Sequence, residues 1–216
     1  MESYAAGCTA LGRRLNAIIA AALALPHGFF DAPGRFDKPQ TFLRLLRYSA
    51  EVSRPEDGVF AAGAHSDYGM WTLLATDASP GLQIQPRGGA EWVDVAPIPN
   101  GLIVNVGDSA WLRCFVNIYP FIPCIYTFIP CAVLERWTNG RFASTRHRVV
   151  NTTGAPRYSM PFFFEPNFAC VVECLPSCRA ADGALPKYPP ITSGEYLLGR
   201  YGATHAAYGG APQAVA

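Results

Sequence analysis

Apolar positions follow two periods along this chain. Near its start, Leu11, Leu15, Ile18, Ile19 and Ala22 recur three and four residues apart and fall on one helical face, with Arg13 and Arg14 elsewhere. This predicts an amphipathic helix over 8–25, stopped by Pro26 and Gly28. A short helical piece is expected over 38–43. From Leu43 onward the period shortens to that of an extended chain, in which alternate side chains share a face. Strands are predicted over 43–48, 71–75, 82–85, 102–106, 145–150 and 158–164, separated by clusters of Pro, Gly, Asn and Asp. Asn139-Gly140 reads as a hairpin signal. One long helix followed by many short strands predicts a mainly β fold, a β-sandwich or jelly roll with a helix on its outside.

Composition narrows the function classes. The chain has 216 residues, half of them hydrophobic and 15% charged, enough for one domain with a core. A net charge of +1 with scattered basic residues argues against a nucleic-acid groove or a polybasic membrane patch. Twenty Gly and nineteen Pro fit a turn-rich β protein. The seven cysteines include Cys170, Cys174 and Cys178 in a row and Cys114, Cys124 and Cys131 in one apolar stretch. Neither group has the paired spacing of a zinc site, so free thiols in a reducing, cytoplasmic compartment are expected. Two segments mimic targeting signals. Arg13 and Arg14 precede an apolar run as in a signal peptide, but the helical face favours a packed helix. Residues 114–134 are 21 residues without a charge, long enough to span a membrane.

Candidate chemistry begins at His65-Ser66-Asp67. In extended backbone this spacing puts an imidazole and a carboxylate on one face. With a distant histidine they would make a facial triad, leaving metal positions open for an organic acid and oxygen, as iron(II) requires. Alone, His-x-Asp says little, because a surface His and Asp beside a turn look the same. A partner exists in His147, within the strand-like Ser144-Thr145-Arg146-His147-Arg148-Val149. Ten residues later, Arg157-Tyr158-Ser159 again places two polar side chains on one face. Arg157 offers a fork of donors for a carboxylate, and Ser159 adds a hydroxyl. An arginine facing inward from an apolar strand needs an anion, either a bound dicarboxylate or an internal acid.

These segments together resemble the isopenicillin N synthase-like family, which includes the plant-type 2-oxoglutarate and iron(II)-dependent oxygenases. The resemblance spans residues 11–198. It rests on Gly63-Ala64-His65-Ser66-Asp67-Tyr68-Gly69, Thr72-Leu73-Leu74, Gly81-Leu82-Gln83, Val104-Asn105-Val106-Gly107-Asp108, Glu135-Arg136-Trp137-Thr138-Asn139, the His147-Arg148-Val149 strand, and Arg157-Tyr158-Ser159 followed by Phe162-Phe163. It implies a double-stranded β-helix (jelly roll) with flanking helices. It implies a dioxygenase that uses iron(II) on His65, Asp67 and His147, with 2-oxoglutarate as co-substrate and, for some members, ascorbate. Tyr48 would reach the co-substrate carboxylate beside Arg157 and Ser159. A small organic molecule would be hydroxylated or desaturated as 2-oxoglutarate is decarboxylated to succinate. A monomer is expected, with a small molecule and oxygen as its only partners.

The chain departs from the family pattern in three places. Where the family has a single residue between Gly-Asp and Leu-Glu-Arg-Trp, 25 residues stand here, over 109–133. Without this surplus the spacing from His65 to His147 falls in the family range. The segment therefore reads as an apolar insertion, a translated intron or a strain-specific insert. A membrane span there would put His65 and Asp67 across the bilayer from His147, and Pro120, Pro123 and Pro130 would interrupt its helix. The family's N-terminal subdomain is expected to be largely missing. Leu46 stands where many plant members have asparagine. The expected domains are thus a helical flank over 1–42, a jelly-roll oxygenase domain over 43–200 with the insertion at 109–133, and a tail over 201–216.

Other residues have plainer readings. Trp71, Trp92, Trp137 and residues 162–164 are expected in the core, with some of the phenylalanines at a pocket mouth. His27 and His205 are expected on the surface. Glu165-Pro166-Asn167 ends a strand and is a candidate substrate contact. Two rival functions stay open: an oxidase of the same family using oxygen with or without ascorbate, and a jelly-roll binding module that no longer catalyses.

Overall fold

The structure is a computed structural model that describes residues 1–105, 125–128 and 132–204. Its elements run α1 (Glu2–Ala22), β1 (Gln40–Leu43), β2 (Leu46–Tyr48), β3 (Ala62–His65), β4 (Trp71–Thr76), β5 (Leu82–Gln85), β6 (Val93–Val95), β7 (Leu102–Asn105), β8 (Ile125–Phe128), α2 (Ala132–Trp137), β9 (Arg146–Val149), β10 (Arg157–Glu165), β11 (Val171–Val172), β12 (Ile191–Thr192) and α3 (Ser193–Thr204).

Ten of the described strands form two facing sheets, and β11 pairs with β12 in a separate two-stranded one. The larger has the order β1-β10-β4-β7-β8, with β2 beside β1 on the same edge of β10. The smaller has the order β3-β9-β5-β6. All pairings in both are antiparallel except β7 with β8. This is the expected jelly roll. Leu82, Val95, Ile103 and Val149 fill the space between the sheets. The outer side of the larger sheet is covered by α1, and a second cluster containing Leu11, Leu15, Ile19, Trp71, Phe162 and Phe164 seals that layer. Each buried Leu or Ile of α1 contributes roughly 1.5–3 kcal/mol.

The longest strand, β10, shows how sequence alternation becomes two-sided packing. Arg157 and Ser159 are each 3% exposed, whereas Tyr158 between them is 50% exposed. Pro161 falls on the same face as Arg157 and Ser159, opposite Arg44 in the continued register. The Arg44 amide donates to its carbonyl at 3.1 Å, and proline has no N–H to return the bond. The edge ladder therefore breaks there, which separates β1 from β2. The strand expected over 43–48 is thus two short strands.

Several boundaries differ from the sequence pattern. The first helix begins and ends earlier than the 8–25 expected. Its buried stripe is Cys8, Leu11, Gly12, Leu15, Asn16, Ile19 and Ala20, while Ile18 and Ala22 lie exposed at the rim. Asn16 accounts for the rotation: its Oδ1 accepts from the buried Trp71 Nε1 at 2.6 Å, which turns a polar residue inward. Residues 40–43 are strand, not helix, because they complete the edge of β10. Asn139-Gly140 joins no two strands; with φ of 55° and 79° these residues end α2, and the Gly140 amide bonds the Glu135 carbonyl at 2.8 Å. The remaining predicted strands appear within a residue or two, with Val106 outside the described residues. Trp71, Trp137, Phe162 and Phe164 are core, while Trp92 is half-buried beneath Arg148, whose guanidinium carbon sits 4.1 Å from its ring centroid. His27 is exposed, and His205 lies outside the described residues.

Most of 109–133 also lies outside the described residues. Within it, 125–128 pair with β7, and Ala132 and Val133 are buried in the first turn of α2. No described helix is long and apolar enough to cross a membrane. Among the described cysteines, Cys8, Cys170, Cys174 and Cys178 are free thiols; Cys114, Cys124 and Cys131 lie outside the described residues.

Gly12 tests the packing of α1 on the larger sheet. A Cβ there would sit 2.6 Å from the Phe164 ring. Gly12→Ala, which alone would favour a helix, is expected to destabilise the protein by about 1–3 kcal/mol, read as a lower denaturant midpoint.

Candidate metal centre and anion pocket

Two strand pairings assemble this site. In the smaller sheet, His65 on β3 stands directly opposite His147 on β9, and their ring centroids are 4.3 Å apart. His65 is the last residue of β3, and the backbone runs on irregularly to Asp67. His147 Nε2 lies 3.6 Å from Asp67 Oδ1. One ligand atom from each of His65, Asp67 and His147 falls within 4.8 Å of the others.

The second layer of contacts sets which atoms face inward. His65 Nδ1 lies 2.8 Å from the Gly63 carbonyl, and His147 Nδ1 lies 3.4 Å from the Thr145 carbonyl. An Nδ1–H donating to each carbonyl leaves each Nε2 as a lone-pair donor. Burial holds the His147 pKa below the usual histidine value, against the pull of Asp67. The imidazole is thereby kept neutral, the form that binds a metal. Two imidazoles and one carboxylate on one side of an ion suit iron(II) and leave other positions open.

The backbone around Asp67 is clamped from two directions. At the start of α2, the Ala132 and Val133 amides donate to the carbonyls of Asp67 and Gly69, each at 3.0 Å. From the end of β10, Glu165 Oε2 accepts the Met70 amide at 3.1 Å. Gly69 packs so closely on the Glu165 carboxyl group that any Cβ there would overlap it. Of the candidate substrate contacts Glu165-Pro166-Asn167, Glu165 is instead buried beneath the loop that carries Asp67. Burial, with a smaller contribution from Asp67, pushes its pKa up to about 8. The C-terminal α3 packs against the same loop, with the Arg200 guanidinium carbon 4.7 Å from the Tyr68 ring centroid.

The metal cluster opens into a cavity of about 290 Å³ between the sheets. Its opposite wall carries Arg157, Ser159 and Tyr48. The register pairs Tyr48 with Arg157 and Leu46 with Ser159. The Tyr48 and Ser159 hydroxyls are 3.2 Å apart, and the Arg157 guanidinium carbon lies 5.3 Å from the Tyr48 ring centroid. Among the described residues no acid pairs with Arg157, and its buried Nε has no hydrogen-bond partner. A buried guanidinium in that state calls for an anion from outside. The structure therefore brings together all six residues singled out in the sequence. A larger cavity of about 340 Å³, lined by Asn139, Arg141, Arg179 and Lys187, lies away from them.

Three features of the site escaped the sequence reading. The clamp by α2 and the role of Glu165 depend on contacts between distant segments, which no local pattern announces. Arg44 was visible: the period-two series Arg44-x-Leu46-x-Tyr48 places it on the cavity wall.

The Glu165 carboxyl supplies a pH test. Its native pKa stands above the 4.5 of an unfolded chain, so the native state retains a proton that the unfolded state releases. Its contribution favours folding most below about pH 4.5 and weakens as pH rises towards about 8. Glu165→Gln, which keeps the acceptor for the Met70 amide, is expected to raise the Tm of metal-free protein by several degrees above pH 8. The difference should vanish near pH 4.5; a difference independent of pH would contradict the assignment.

Similar proteins share this arrangement of sheets. The family model described as the 2OG-Fe(II) oxygenase superfamily matches residues 41–166. A 2-oxoglutarate-Fe(II) type oxidoreductase of Emericella nidulans is 33% identical over 192 residues, covering 88% of this chain and 47% of the relative. Kihadalactone A synthase of Citrus sinensis is 35% identical over 195 residues, covering 88% and 50%. A full-length Neurospora crassa protein, crystallised in complex with alpha-KG, superposes with a TM-score of 0.73 at 32% identity, covering 92% of this chain and 59% of that one. The chain spans about half the length of the curated relatives it matches. With the family model covering more than half of the chain and every segment of the jelly roll that lines the cavity, this protein belongs to the 2OG-Fe(II) oxygenase superfamily.

Proposed function

We propose that this protein oxidises a small organic molecule, by hydroxylation or desaturation, with iron(II), oxygen and 2-oxoglutarate. His65, Asp67 and His147 hold the iron; Arg157, Ser159 and Tyr48 hold the far carboxylate of 2-oxoglutarate. The observation that carries this reading is the buried Arg157 guanidinium, with no acid partner among the described residues, in the same cavity as the three candidate metal ligands. When bound, iron(II) and 2-oxoglutarate supply the oxidising chemistry, in which one oxygen atom ends in succinate as carbon dioxide leaves and the other serves the oxidation of the substrate.

The protein's own part is to bind, orient and shield. With Nδ1–H on the Gly63 and Thr145 carbonyls, the His65 and His147 imidazoles would each offer the Nε2 lone pair to the ion. Asp67 supplies the single negative charge, and α2 and Glu165 fix its backbone. Arg157 presents two parallel N–H donors to a carboxylate, and the Ser159 and Tyr48 hydroxyls donate beside them. Apolar Leu46, Leu74, Leu82 and Val149 exclude water from the space between. The same reading takes the protein as a cytoplasmic monomer, without nucleic-acid or membrane partners, and leaves ascorbate as an auxiliary reductant.

The Arg157 wall favours this reading over an oxidase that needs no 2-oxoglutarate, and the complete ligand set favours it over a module that only binds. Succinate release from 2-oxoglutarate by the iron-loaded protein is the direct test. His147→Ala is expected to abolish both iron binding and succinate formation; a variant that stays active with iron bound would refute the ligand set. Arg157→Ala should leave iron affinity intact and raise the 2-oxoglutarate concentration needed by about tenfold to a hundredfold, the loss expected for hydrogen bonds to a charged group. Unchanged co-substrate affinity would remove Arg157 from its role.

A further inference from the structure

The cavity contains a second arginine that the reading above does not use. Arg44 lines it together with Leu46 and Tyr48, on the wall across from His65, Asp67 and His147. Three cross-strand positions make that wall: Arg44 beside Pro161, Leu46 beside Ser159, and Tyr48 beside Arg157. Because Pro161 breaks the edge ladder, Arg44 sits in the gap between β1 and β2, exposed at the mouth while Arg157 lies buried within. Its backbone amide is spent on Pro161, and among the described residues its guanidinium makes no hydrogen bond or ion pair.

Charge balance indicates what this cation faces. Asp67 is the only acid lining the cavity among the described residues. With 2-oxoglutarate bound, the two negative charges of the co-substrate and the one on Asp67 match the two of iron(II) and the one of Arg157. Arg44 is then the surplus positive charge, in a space walled by Leu46, Leu74, Pro161 and Phe163. A guanidinium fork at the mouth of an apolar-walled cavity selects a planar oxyanion over a neutral polar group.

We propose that Arg44 anchors the substrate and that the substrate is a small organic acid, with one carboxylate on an apolar body. The carboxylate pairs with Arg44 at the mouth, and the apolar part lies over the leucines towards the metal. This rests on the iron and 2-oxoglutarate reading, but it can be tested apart from it.

The test is calorimetric titration with matched acids and amides: benzoate, phenylacetate and nicotinate against benzamide, phenylacetamide and nicotinamide. Protein loaded with manganese(II) and 2-oxoglutarate is titrated first, and unloaded protein in parallel. At least one acid is expected to bind the wild type about tenfold or more tighter than its amide. Arg44→Met should erase that preference, Arg44→Lys should keep part of it, and neither should change 2-oxoglutarate affinity, in contrast to Arg157→Ala. Arg44 is exposed, so these variants should melt with the wild type. Acids that bind no better than amides, or do not bind, would overturn the proposal. So would a preference that survives Arg44→Met, or a loss of 2-oxoglutarate affinity in Arg44→Met equal to that in Arg157→Ala. Failure to take up manganese or 2-oxoglutarate would sink the parent reading instead, and the acid–amide contrast in unloaded protein would still report on Arg44.

Discussion

The register between β3 and β9 is the constraint on which the rest depends. It sets His65 opposite His147 across an antiparallel pair, and a slip of one residue would turn one of the two imidazoles to the other face of the sheet. Hydrophobic alternation holds that register. Val149 and Leu82 face the inter-sheet core from β9 and β5, and they are paired with each other two residues from His147. The apolar core between the sheets thus does more than stabilise the fold. It fixes, to within a side chain's reach, where the two imidazoles of the proposed metal centre meet.

A second requirement is electrical. The cavity collects a buried arginine, a buried carboxylate and two imidazoles, and the arginine has no acid of its own among the described residues. Such a cluster is costly in an empty pocket, and the ion and dicarboxylate of the proposed function would balance it. Glu165 makes the same point from beneath. A charged carboxylate there would add to the negative potential at Asp67, and burial keeps it largely protonated through much of the acid range. Its proton leaves Asp67 as the local negative charge while the acceptor oxygen still holds the metal loop.

Much of this was legible in the sequence because it is local. His65-x-Asp67 and Arg157-x-Ser159 are period-two spacings, and extended backbone turns each pair to one side. The strands at 71–75, 82–85 and 158–164 carried enough alternation or apolar density to be placed almost to the residue. What failed did so for tertiary reasons. Residues 40–43 looked helical until β10 offered them an edge, and Asn139-Gly140 looked like a hairpin because its left-handed residues serve a helix end equally well. The stripe of α1 was misjudged by one step because Asn16 is drawn inward by Trp71 across 55 residues of chain. Nothing at Glu165 announced that it would sit under Gly69.

The seat of α2 has a corollary for the connection before it. Two main-chain amides, those of Ala132 and Val133, fasten the helix to the carbonyls of Asp67 and Gly69. Main-chain bonds do not depend on which side chains surround them. The β7 strand is likewise secured on its other side by β4. The connection from β7 to α2 therefore starts and finishes on fixed posts, and its length can drift with little thermodynamic consequence, since closure entropy changes slowly with loop size. A longer or shorter connection would then leave the positions of His65, Asp67 and His147 where these posts hold them.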